Sequence, residues 1–302
     1  MTDIIIIGAG IAGMTSAIYA RRASKSVLVL EAKSYGGQII NTPDVENYPA
    51  APHISGFDLA TNVYGQAKAL GAEFKFEKAV NIEDHGGYKT VATTKNSYDA
   101  KAVIIATGSE NRKLGLENED RLVGRGVSYC ATCDGAFFRG KTVAVAGGGN
   151  TALEDALYLS DVAGKVYLIH RRDAFRGDDG TVERLKKKEN VVFVLNSNVT
   201  KLIADKKLTS IEVTDKEGVV TPIEVDGLFV AVGRIPENQN FTSVIDLDAA
   251  GYALSGEDCR TRTKGVFVAG DTRQKDVRQL VTAASDGAVA ATEAIKYING
   301  LE

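Results

Sequence analysis

The chain has 302 residues, of which 44% are hydrophobic and 25% are charged, and its formal net charge is -3. At roughly 150 residues per domain, this length predicts two domains, each able to bury a core. The charge balance excludes a basic nucleic-acid-binding surface, and no apolar run reaches the roughly 20 residues of a membrane-spanning helix. We therefore expect a cytoplasmic protein that binds neither nucleic acid nor membrane.

The first elements of the chain predict a dinucleotide site. A buried strand from Ile4 to Ile7 is followed by a glycine-rich turn, a helix from Ala12 to about Arg22, and a second strand from Val27 to Leu30. The glycines of this turn are Gly8, Gly10 and Gly13. They allow a tight turn, close backbone approach to a pyrophosphate and helix-on-strand packing. Glu31 ends the second strand, where its carboxylate can accept hydrogen bonds from ribose hydroxyls.

Two loops of the first half offer groups suited to a flat, polar-edged ring. Glycines at Gly36 and Gly37 let backbone approach such a ring, and the Gln38 and Asn47 side-chain amides can bond to its edge. An ordinary surface loop is the alternative for this stretch. Further strands are predicted at Val91–Thr94 and Val103–Ala106, before a crossing out of the first unit.

Cys130 and Cys133, followed directly by Asp134, form a CxxC pair between the two halves. Such spacing allows a small disulfide ring and lowers the pKa of one thiol near a helix start, which favours thiol–disulfide chemistry. The alternative is half of a zinc site, but Cys259 and three scattered histidines do not supply a second pair of ligands. Asp134 can return a proton to a leaving thiolate or can cap a turn.

The second half repeats the first, 139 residues later. Strands at Val143–Ala146 and Val166–Ile169 flank a second turn, in which Gly147 and Gly149 precede Asn150 and Thr151. The position matching Glu31 is His170, and three arginines follow: Arg171, Arg172 and Arg176. Guanidinium groups attract a ribose 2'-phosphate, whereas an acid would repel it, so this site is predicted to bind NADP(H). A solvated basic patch is the alternative.

The tail offers one strand, Val266–Ala269, then Gly270-Asp271 and a helix from about Val277 to Ile298. It is too short for a third unit. We therefore predict the α/β class, with two Rossmann-like domains and the second inserted in the first. The first domain comprises residues 1–113 and 242–302, and the second residues 114–241. Two short crossings, near 112–115 and 235–241, would let the inserted domain rotate as a body.

Several segments together closely resemble the bacterial low-molecular-weight thioredoxin reductases, nearly end to end. They are GAGIAG, YGGQ, VENYP, GRGVSYCATCDG, GGGNTALEDALYL, HRRDAFR and VFVAGDTRQKDVRQL. The resemblance implies FAD on the first domain, NADPH on the second, a homodimer, and thioredoxin as the protein substrate. It also implies two domain arrangements, one with the disulfide at the flavin and one with the dithiol exposed to thioredoxin.

By the same motifs, the resemblance implies which residues serve each nucleotide. The FAD set is Gly8, Gly10, Gly13, Glu31, Gly37, Gln38, Asn47, Gly270, Asp271, Arg278 and Gln279. The NADPH set is Gly147, Gly149, Asn150, Thr151, His170, Arg171, Arg172 and Arg176. By the resemblance Asp134 becomes the proton donor. We further predict that Cys130 attacks thioredoxin and that Cys133 engages the flavin. No metal is implied.

One departure concerns the surface for the protein substrate. Some relatives carry two adjacent aromatics directly after CATCDG, whereas here Ala136 precedes Phe137 and Phe138. The apolar docking site is therefore expected to be shifted.

The sequence predicts a thioredoxin-disulfide reductase and leaves three alternatives. The same electron path can serve another disulfide acceptor, such as a glutaredoxin-like protein or a peroxidase module. A flavin-dependent dithiol oxidase would use the CxxC but would not need the arginines after His170. The third alternative is a non-enzymatic nucleotide-sensing or zinc-stabilised module.

Overall fold

The computed structural model describes residues 1–42 and 44–300. In these ranges the α-helices are α1 Ile11–Arg22, α2 Gly56–Ala69, α3 Glu119–Leu122, α4 Ala131–Asp134, α5 Asn150–Val162, α6 Asp179–Lys186 and α7 Leu280–Ile298. The strands of the first half are β1 Thr2–Ile7, β2 Val27–Leu30, β3 Glu73–Lys75, β4 Ala79–Asp84, β5 Lys89–Thr93, β6 Ser97–Ile105 and β7 Ser109–Asn111. Those of the second half are β8 Val127–Ser128, β9 Thr142–Gly147, β10 Lys165–Ile169, β11 Val191–Val194, β12 Ser197–Ala204, β13 Leu208–Asp215, β14 Val220–Glu224, β15 Gly227–Ala231, β16 Arg234–Pro236 and β17 Val266–Val268.

The chain divides into two compact units. One comprises Met1–Glu110 and Ile235–Glu302, and the other is Asn111–Arg234. The predicted boundaries, 113/114 and 241/242, therefore need correction to 110/111 and 234/235. The connecting strands β7 and β16 pair with each other in a two-stranded sheet.

Residues 235–241 belong to the first unit because their side chains complete its core. Phe241 is buried beside Val244 and Ile245 in the apolar cluster under the first sheet. The fully buried Asn238 amide donates to the carbonyl oxygens of Gly251 and Thr272, at 3.0 and 2.8 Å. Leaving these polar groups unpaired would be unfavourable, so this segment is fixed to the first unit.

The first unit is built on a seven-stranded sheet with strand order β3-β2-β1-β6-β5-β4, in which β17 also pairs with β6. The strands β1, β2, β3, β6 and β17 are parallel, while β4 and β5 continue the sheet as antiparallel strands. Ile4 to Ile7 are all buried because apolar clusters cover both faces of β1. This explains why the strand is a continuous apolar run.

Close packing of α1 against α7 forms one of those faces. The Ser16 hydroxyl donates to the Gly287 carbonyl oxygen at 2.9 Å. A Cβ atom at Gly287 would lie 2.3 Å from the Ala12 carbonyl oxygen. The absence of a side chain at Gly287 therefore sets the approach of the two helices.

The second unit repeats this arrangement with a five-stranded parallel sheet of order β11-β10-β9-β15-β8. Helix α5 packs on one face, with Leu153 and Leu159 in its core. The antiparallel sheet β12-β13-β14 contributes Ile211 and Val213 to a second apolar cluster. The predicted α/β class, with two parallel-sheet units, is confirmed.

In the described parts of the chain, no helix combines the length and the apolar character needed to cross a bilayer.

Candidate active site

Cys130 and Cys133 are joined by a disulfide at the start of α4. Cys130 is the N-cap residue of this four-residue helix, and the buried Ala131 anchors the turn in the core of the second unit. Both cysteines are half-buried, while Thr132 between them is exposed. The disulfide is thus held by a packed turn and remains partly accessible.

Asp134 ends the same turn and is half-buried. Burial raises the pKa of its carboxyl group, and a hydrogen bond from Ser128 lowers that pKa in part. The Ser128 hydroxyl donates to Oδ2 of Asp134 at 2.6 Å. A carboxyl group that keeps its proton at higher pH than usual is suited to proton donation next to a thiolate.

Asp155 is a second carboxyl group at this turn that the sequence analysis missed. It lies on α5, is half-buried, and accepts a hydrogen bond from the backbone N–H of Ala131. Burial, aided by the neighbouring Glu154 charge, raises the pKa of Asp155 to about 7, although the Ala131 bond opposes this. The acidic pair within TALEDAL was the available signal, but its helix face could not be related to the CxxC turn from sequence.

The three glycines of the first loop differ in the space around them: Gly8 and Gly13 have no room for a side chain, whereas Gly10 faces open space. A Cβ at Gly8 would lie 2.3 Å from the Ala106 carbonyl oxygen, and one at Gly13 would lie 1.9 Å from the Gly8 carbonyl oxygen. A Cβ at Gly10 would meet nothing within 4 Å. Glu31 stands next to this loop, since its Oε2 accepts the Ala9 N–H at 2.8 Å.

Some of the other residues of the predicted FAD set lie next to this loop. Gly36 bridges to Gly10, which brings Gly37 against the loop, and Gln38 lies exposed at the following 3-10 turn. The Asn47 side-chain amide donates to Gln279 Oε1 at 3.2 Å. The structure therefore brings together Asn47 and Gln279, which are far apart in sequence.

The remaining members of that set lie just after strand β17 and just before helix α7. Gly270 is buried against Ala12 of α1, and Asp271 follows it in a short 3-10 turn. The Arg278 guanidinium lies 4.1 Å from the centre of the Tyr252 ring, and its buried Nε has no hydrogen-bond partner among the described residues. Gln279 is the N-cap of α7 and forms a capping box with Thr282.

The second glycine loop follows the same plan. A Cβ at Gly147 would lie 2.4 Å from the Ala231 carbonyl oxygen, whereas one at Gly149 would meet nothing within 4 Å. Asn150 fixes the loop, because its Oδ1 accepts the Asp178 N–H at 2.8 Å. Thr151 is exposed on the first turn of α5.

His170 and the three arginines differ in their surroundings. His170 is buried beneath Gly148 and stacks on Phe175, and burial lowers the pKa of its ring, which is therefore mainly neutral at pH 7. Arg171, Arg172 and Arg176 are exposed. The Arg176 N–H donates to the Gly148 carbonyl oxygen at 2.8 Å, which ties this segment to the glycine loop. The positive charge at this edge comes from the arginines.

The structure argues against zinc at the CxxC pair, because the two cysteines are bonded to each other. Within residues 1–42 and 44–300, the one cluster with metal-ligand spacing is Asp44, Glu46 and His53, which contains no cysteine. Cys259 is buried, and burial raises the pKa of its thiol to about 12. A thiol that stays protonated packs as a small apolar group.

Comparison with known proteins matches residues 2–287 to the pyridine nucleotide-disulphide oxidoreductase family. A thioredoxin reductase from Listeria innocua is 44% identical over 302 residues, covering 99% of this chain and 95% of the relative. One from Bacillus subtilis is 40% identical, covering 99% and 96%. The chain belongs to the thioredoxin reductase family.

Solved thioredoxin reductases support the same membership. The enzyme from Streptococcus pyogenes is 40% identical, with a TM-score of 0.95 and 99% of each chain covered. The Lactococcus lactis enzyme, solved in its FR conformation, is also 40% identical, over 99% of this chain and 100% of that one, but its TM-score is 0.69.

Membership confirms the predicted resemblance, fold class and disulfide-reductase function, and it does not favour the oxidase and non-enzymatic alternatives. Thioredoxin reductases of this pyridine nucleotide-disulphide oxidoreductase type use a flavin cofactor, a nicotinamide nucleotide and a redox-active disulfide. Here the disulfide is Cys130–Cys133.

Proposed function

We propose that this protein is a cytoplasmic, homodimeric thioredoxin reductase that binds FAD in its first unit and NADPH in its second. The observation that carries the proposal is the Cys130–Cys133 disulfide, half-exposed on a packed turn beside Asp134 within the second nucleotide-binding unit. A redox-active pair on that unit is suited to passing electrons from a nucleotide to an outside protein.

Residues of the first unit fit a dinucleotide with a flat ring. The open space in front of Gly10 admits a pyrophosphate close to the backbone, and the N-terminus of α1 supplies N–H donors there. The Glu31 carboxylate, beside the loop, suits ribose hydroxyls. The groups assigned to FAD are Gly8, Gly10, Gly13, Glu31, Gly37, Gln38, Asn47, Gly270, Asp271, Arg278 and Gln279.

Residues of the second unit fit NADPH in the same way. The space in front of Gly149 receives the pyrophosphate, and the exposed arginines form charge-assisted bonds with the 2'-phosphate. The buried His170 ring supports the loop by packing under Gly148. The groups assigned to NADPH are Gly147, Gly149, Asn150, Thr151, His170, Arg171, Arg172 and Arg176.

FAD held by the first unit would supply a two-electron carrier between NADPH and the Cys130–Cys133 disulfide. The chain then completes a thiol–disulfide exchange. Cys130 Sγ, as thiolate, attacks the thioredoxin disulfide, and one thioredoxin sulfur leaves. Cys133 Sγ attacks Cys130, re-forms the disulfide and releases the second thioredoxin sulfur. Asp134 supplies a proton that converts a thiolate into a thiol.

We propose that the second unit rotates about its two short connections, β7 and β16, so that the disulfide can serve first the flavin and then thioredoxin. The Streptococcus and Lactococcus enzymes are equally identical to this chain yet differ widely in TM-score. That contrast supports more than one domain arrangement in the family.

The exposed aromatic after CATCDG is a candidate contact for thioredoxin. Phe137 is exposed, whereas Phe138 packs its edge against Phe229 with ring centres 5.3 Å apart. We propose a docking contact that uses Phe137 alone.

The test is NADPH oxidation by the FAD-loaded protein, with and without thioredoxin from the same organism. We expect the thioredoxin-dependent rate to exceed that with a glutaredoxin-like protein or a peroxidase module. Cys133→Ser should abolish thioredoxin reduction while NADPH still bleaches the flavin. Thioredoxin reduction that survives in Cys133→Ser would overturn the proposal.

A further inference from the structure

Ser128 is a buried serine two residues before the redox cysteine, on the edge strand β8 of the parallel sheet. It ends β8, where it pairs with Phe229 of β15, and only 4% of its surface is exposed. Its backbone is therefore fixed by the central sheet of the second unit. A group that is hydrogen-bonded to the Ser128 hydroxyl is therefore held in a fixed position relative to the sheet.

The Ser128 hydroxyl joins the redox cysteine to the acid. It accepts the backbone N–H of Cys130 at 3.1 Å and donates to Asp134 Oδ2 at 2.6 Å. The Cys130 carbonyl oxygen, at 3.3 Å, is the more distant of its two acceptors. A hydroxyl has a single proton, so the short contact with the carboxyl group is the dominant bond.

The other oxygen of Asp134 has different surroundings. Oδ1 is buried and has no hydrogen-bond partner among the described residues. A buried, unpaired oxygen is unfavourable for a carboxylate, but it can carry the proton of a neutral carboxylic acid. The two oxygens of Asp134 therefore differ, because Oδ2 accepts a hydrogen bond from Ser128 and Oδ1 has no partner among the described residues.

We propose that Ser128 is the positioning residue of the proton donor, holding Asp134 Oδ2 so that the proton resides on Oδ1. This inference rests on the proposed role of Asp134. In the step, the O–H bond at Oδ1 breaks and an S–H bond forms on a thiolate, which leaves an Asp134 carboxylate. The Ser128 bond to Oδ2 strengthens as the charge develops, because hydrogen bonds to ionised groups are the stronger ones.

This role predicts the direction of a pH effect. Without the Ser128 hydroxyl, burial acts on Asp134 unopposed, so the pKa of Asp134 rises further and the proton is released less readily. The alkaline limb of the thioredoxin-dependent rate should move to higher pH, by about one pH unit, while the maximal rate falls roughly tenfold. Flavin bleaching by NADPH should stay at the wild-type rate.

Other titratable groups face the same turn and must be separated from Asp134. Helix α5 brings Asp155 to the Ala131 N–H and Tyr158 to Gly135, and the 3-10 helix Gly135–Phe138 brings none. Tyr129 lies on the chain beside Ser128, but burial and the hydrogen bond to Glu119 raise the pKa of its hydroxyl group. Because the pKa of Asp155 is about 7, the Ser128→Ala shift must also be measured in an Asp155→Asn background.

The experiment compares pH profiles of thioredoxin reduction by FAD-loaded wild type, Ser128→Ala, Ser128→Thr and Ser160→Ala. Ser160 is a matched control, since it is also buried in this unit and its hydroxyl donates to Leu157, away from the turn. We expect a shifted limb in Ser128→Ala, recovery in Ser128→Thr, and a wild-type profile in Ser160→Ala. Ser128→Gly is the second variant should Ser128→Ala fail to accumulate.

Asp134→Asn separates the two levels of the argument. If Asp134→Asn slows thioredoxin reduction and adding Ser128→Ala changes nothing more, the two residues act as one unit. If Asp134→Asn is slow but Ser128→Ala matches wild type at every pH, the inference about Ser128 is wrong and the role of Asp134 stands. If Asp134→Asn is fully active, the assigned proton donor is wrong.

Discussion

Single atoms distinguish the glycines that the fold requires from those with open space in front of them, which the proposal assigns to a ligand. The same fingerprint contains Gly13, where a Cβ would overlap the Gly8 carbonyl oxygen, and Gly10, where a Cβ would meet nothing within 4 Å. The sequence motif treats both glycines alike. Their neighbours show that they serve different purposes, and this difference can be measured.

Gly13→Ala and Gly10→Ala should therefore separate stability from cofactor binding. In flavin-free protein, urea unfolding should show Gly13→Ala less stable by about 1–3 kcal/mol through overpacking. Gly10→Ala keeps a favourable backbone and should lose at most about 1 kcal/mol. Gly10→Ala should nevertheless release FAD more readily on dilution. Equal FAD retention in Gly10→Ala and wild type would contradict the placement of the pyrophosphate.

The exposed arginines after β10 should control the choice between nicotinamide nucleotides. Arg171→Ala and Arg172→Ala each remove a charge-assisted bond to the 2'-phosphate, so KM for NADPH should rise about tenfold or more. KM for NADH should be unchanged. Lys206→Ala, at an exposed turn of the same unit, is the charge-matched control. A parallel rise in both KM values would show that the arginines do not read the phosphate.

Residue roles were predictable from sequence only where a motif fixes the geometry. The register of His170 with Glu31 follows from the repeat, but the burial of the His170 ring under Gly148 does not. Ser128 gave no signal and Asp155 gave only an acidic pair on a predicted helix, because the importance of both residues lies in contacts with the CxxC turn. Such contacts depend on how a strand and a helix pack.

At the level of elements, the approach of α1 to α7 depends on a missing side chain. Gly287→Ala would place a Cβ 2.3 Å from the Ala12 carbonyl oxygen, so the helices must separate. Thermal unfolding should show a loss of about 1–3 kcal/mol. Gly65→Ala, at an exposed position of α2 with open space around it, should instead raise stability by up to about 1 kcal/mol. Stabilisation by both changes would show that helix propensity, rather than the packing of α1 against α7, decides the effect at Gly287.

A buried ion-pair cluster links the Gly270 loop to α7. Burial by itself raises the pKa of Asp286, but hydrogen bonds from Arg273 and Lys275 outweigh it and hold that pKa below its ordinary value. Asp286 also accepts the Gly270 N–H at 2.9 Å. Its contribution to stability is present above the unfolded-state pKa, about 4, and is lost as pH falls through the lower folded-state pKa.

Asp286→Asn should therefore destabilise the protein at neutral pH by about 3 kcal/mol and flatten the acid limb of its stability profile. The measurement is denaturant unfolding between pH 3 and pH 7. Asp246→Asn is the control, because Asp246 pairs with Arg262 at an exposed site and should matter by less than about 1 kcal/mol. An unchanged acid limb in Asp286→Asn would place the acid sensitivity elsewhere.

Elements with a continuous apolar pattern were predictable, and those with a mixed pattern were not. Strand β2 was predicted at Val27–Leu30, where the structure has it, since both of its faces are buried. The antiparallel strands β12 to β14 alternate buried and exposed residues over short stretches and were missed. Helix α7 begins at Leu280 rather than Val277, because the capping box at Gln279 sets its start.

For the whole molecule, the division into two units predicts separate responses to the two nucleotides. In hydrogen–deuterium exchange, NADP+ should protect residues 147–152 and 170–176 of the second unit. Removal of FAD should deprotect residues 8–13 and 270–279 of the first. Protection of the first glycine loop by NADP+ in FAD-loaded protein would contradict this assignment of the sites.

The internal repeat in the sequence predicts the two-unit organisation, but it does not predict the residues at which one unit ends and the other begins. Repeated strands and glycine loops fix the centre of each unit. The end of the second unit depends on Asn238 and Phe241, whose side chains are buried in the first. A polar amide and an aromatic in a connecting segment give no indication of which core they enter.

The most direct test of the electron path is alkylation of the protein under anaerobic conditions, read by mass spectrometry at Cys130 and Cys133. After NADPH is added to the FAD-loaded protein, both thiols should become labelled. If oxidised thioredoxin is added before the alkylating agent, and no NADPH remains, the two thiols should be re-oxidised and escape labelling. Flavin-free protein should stay unlabelled. If thioredoxin is reduced while Cys130 and Cys133 remain disulfide-bonded throughout, electrons take another path and the account is contradicted.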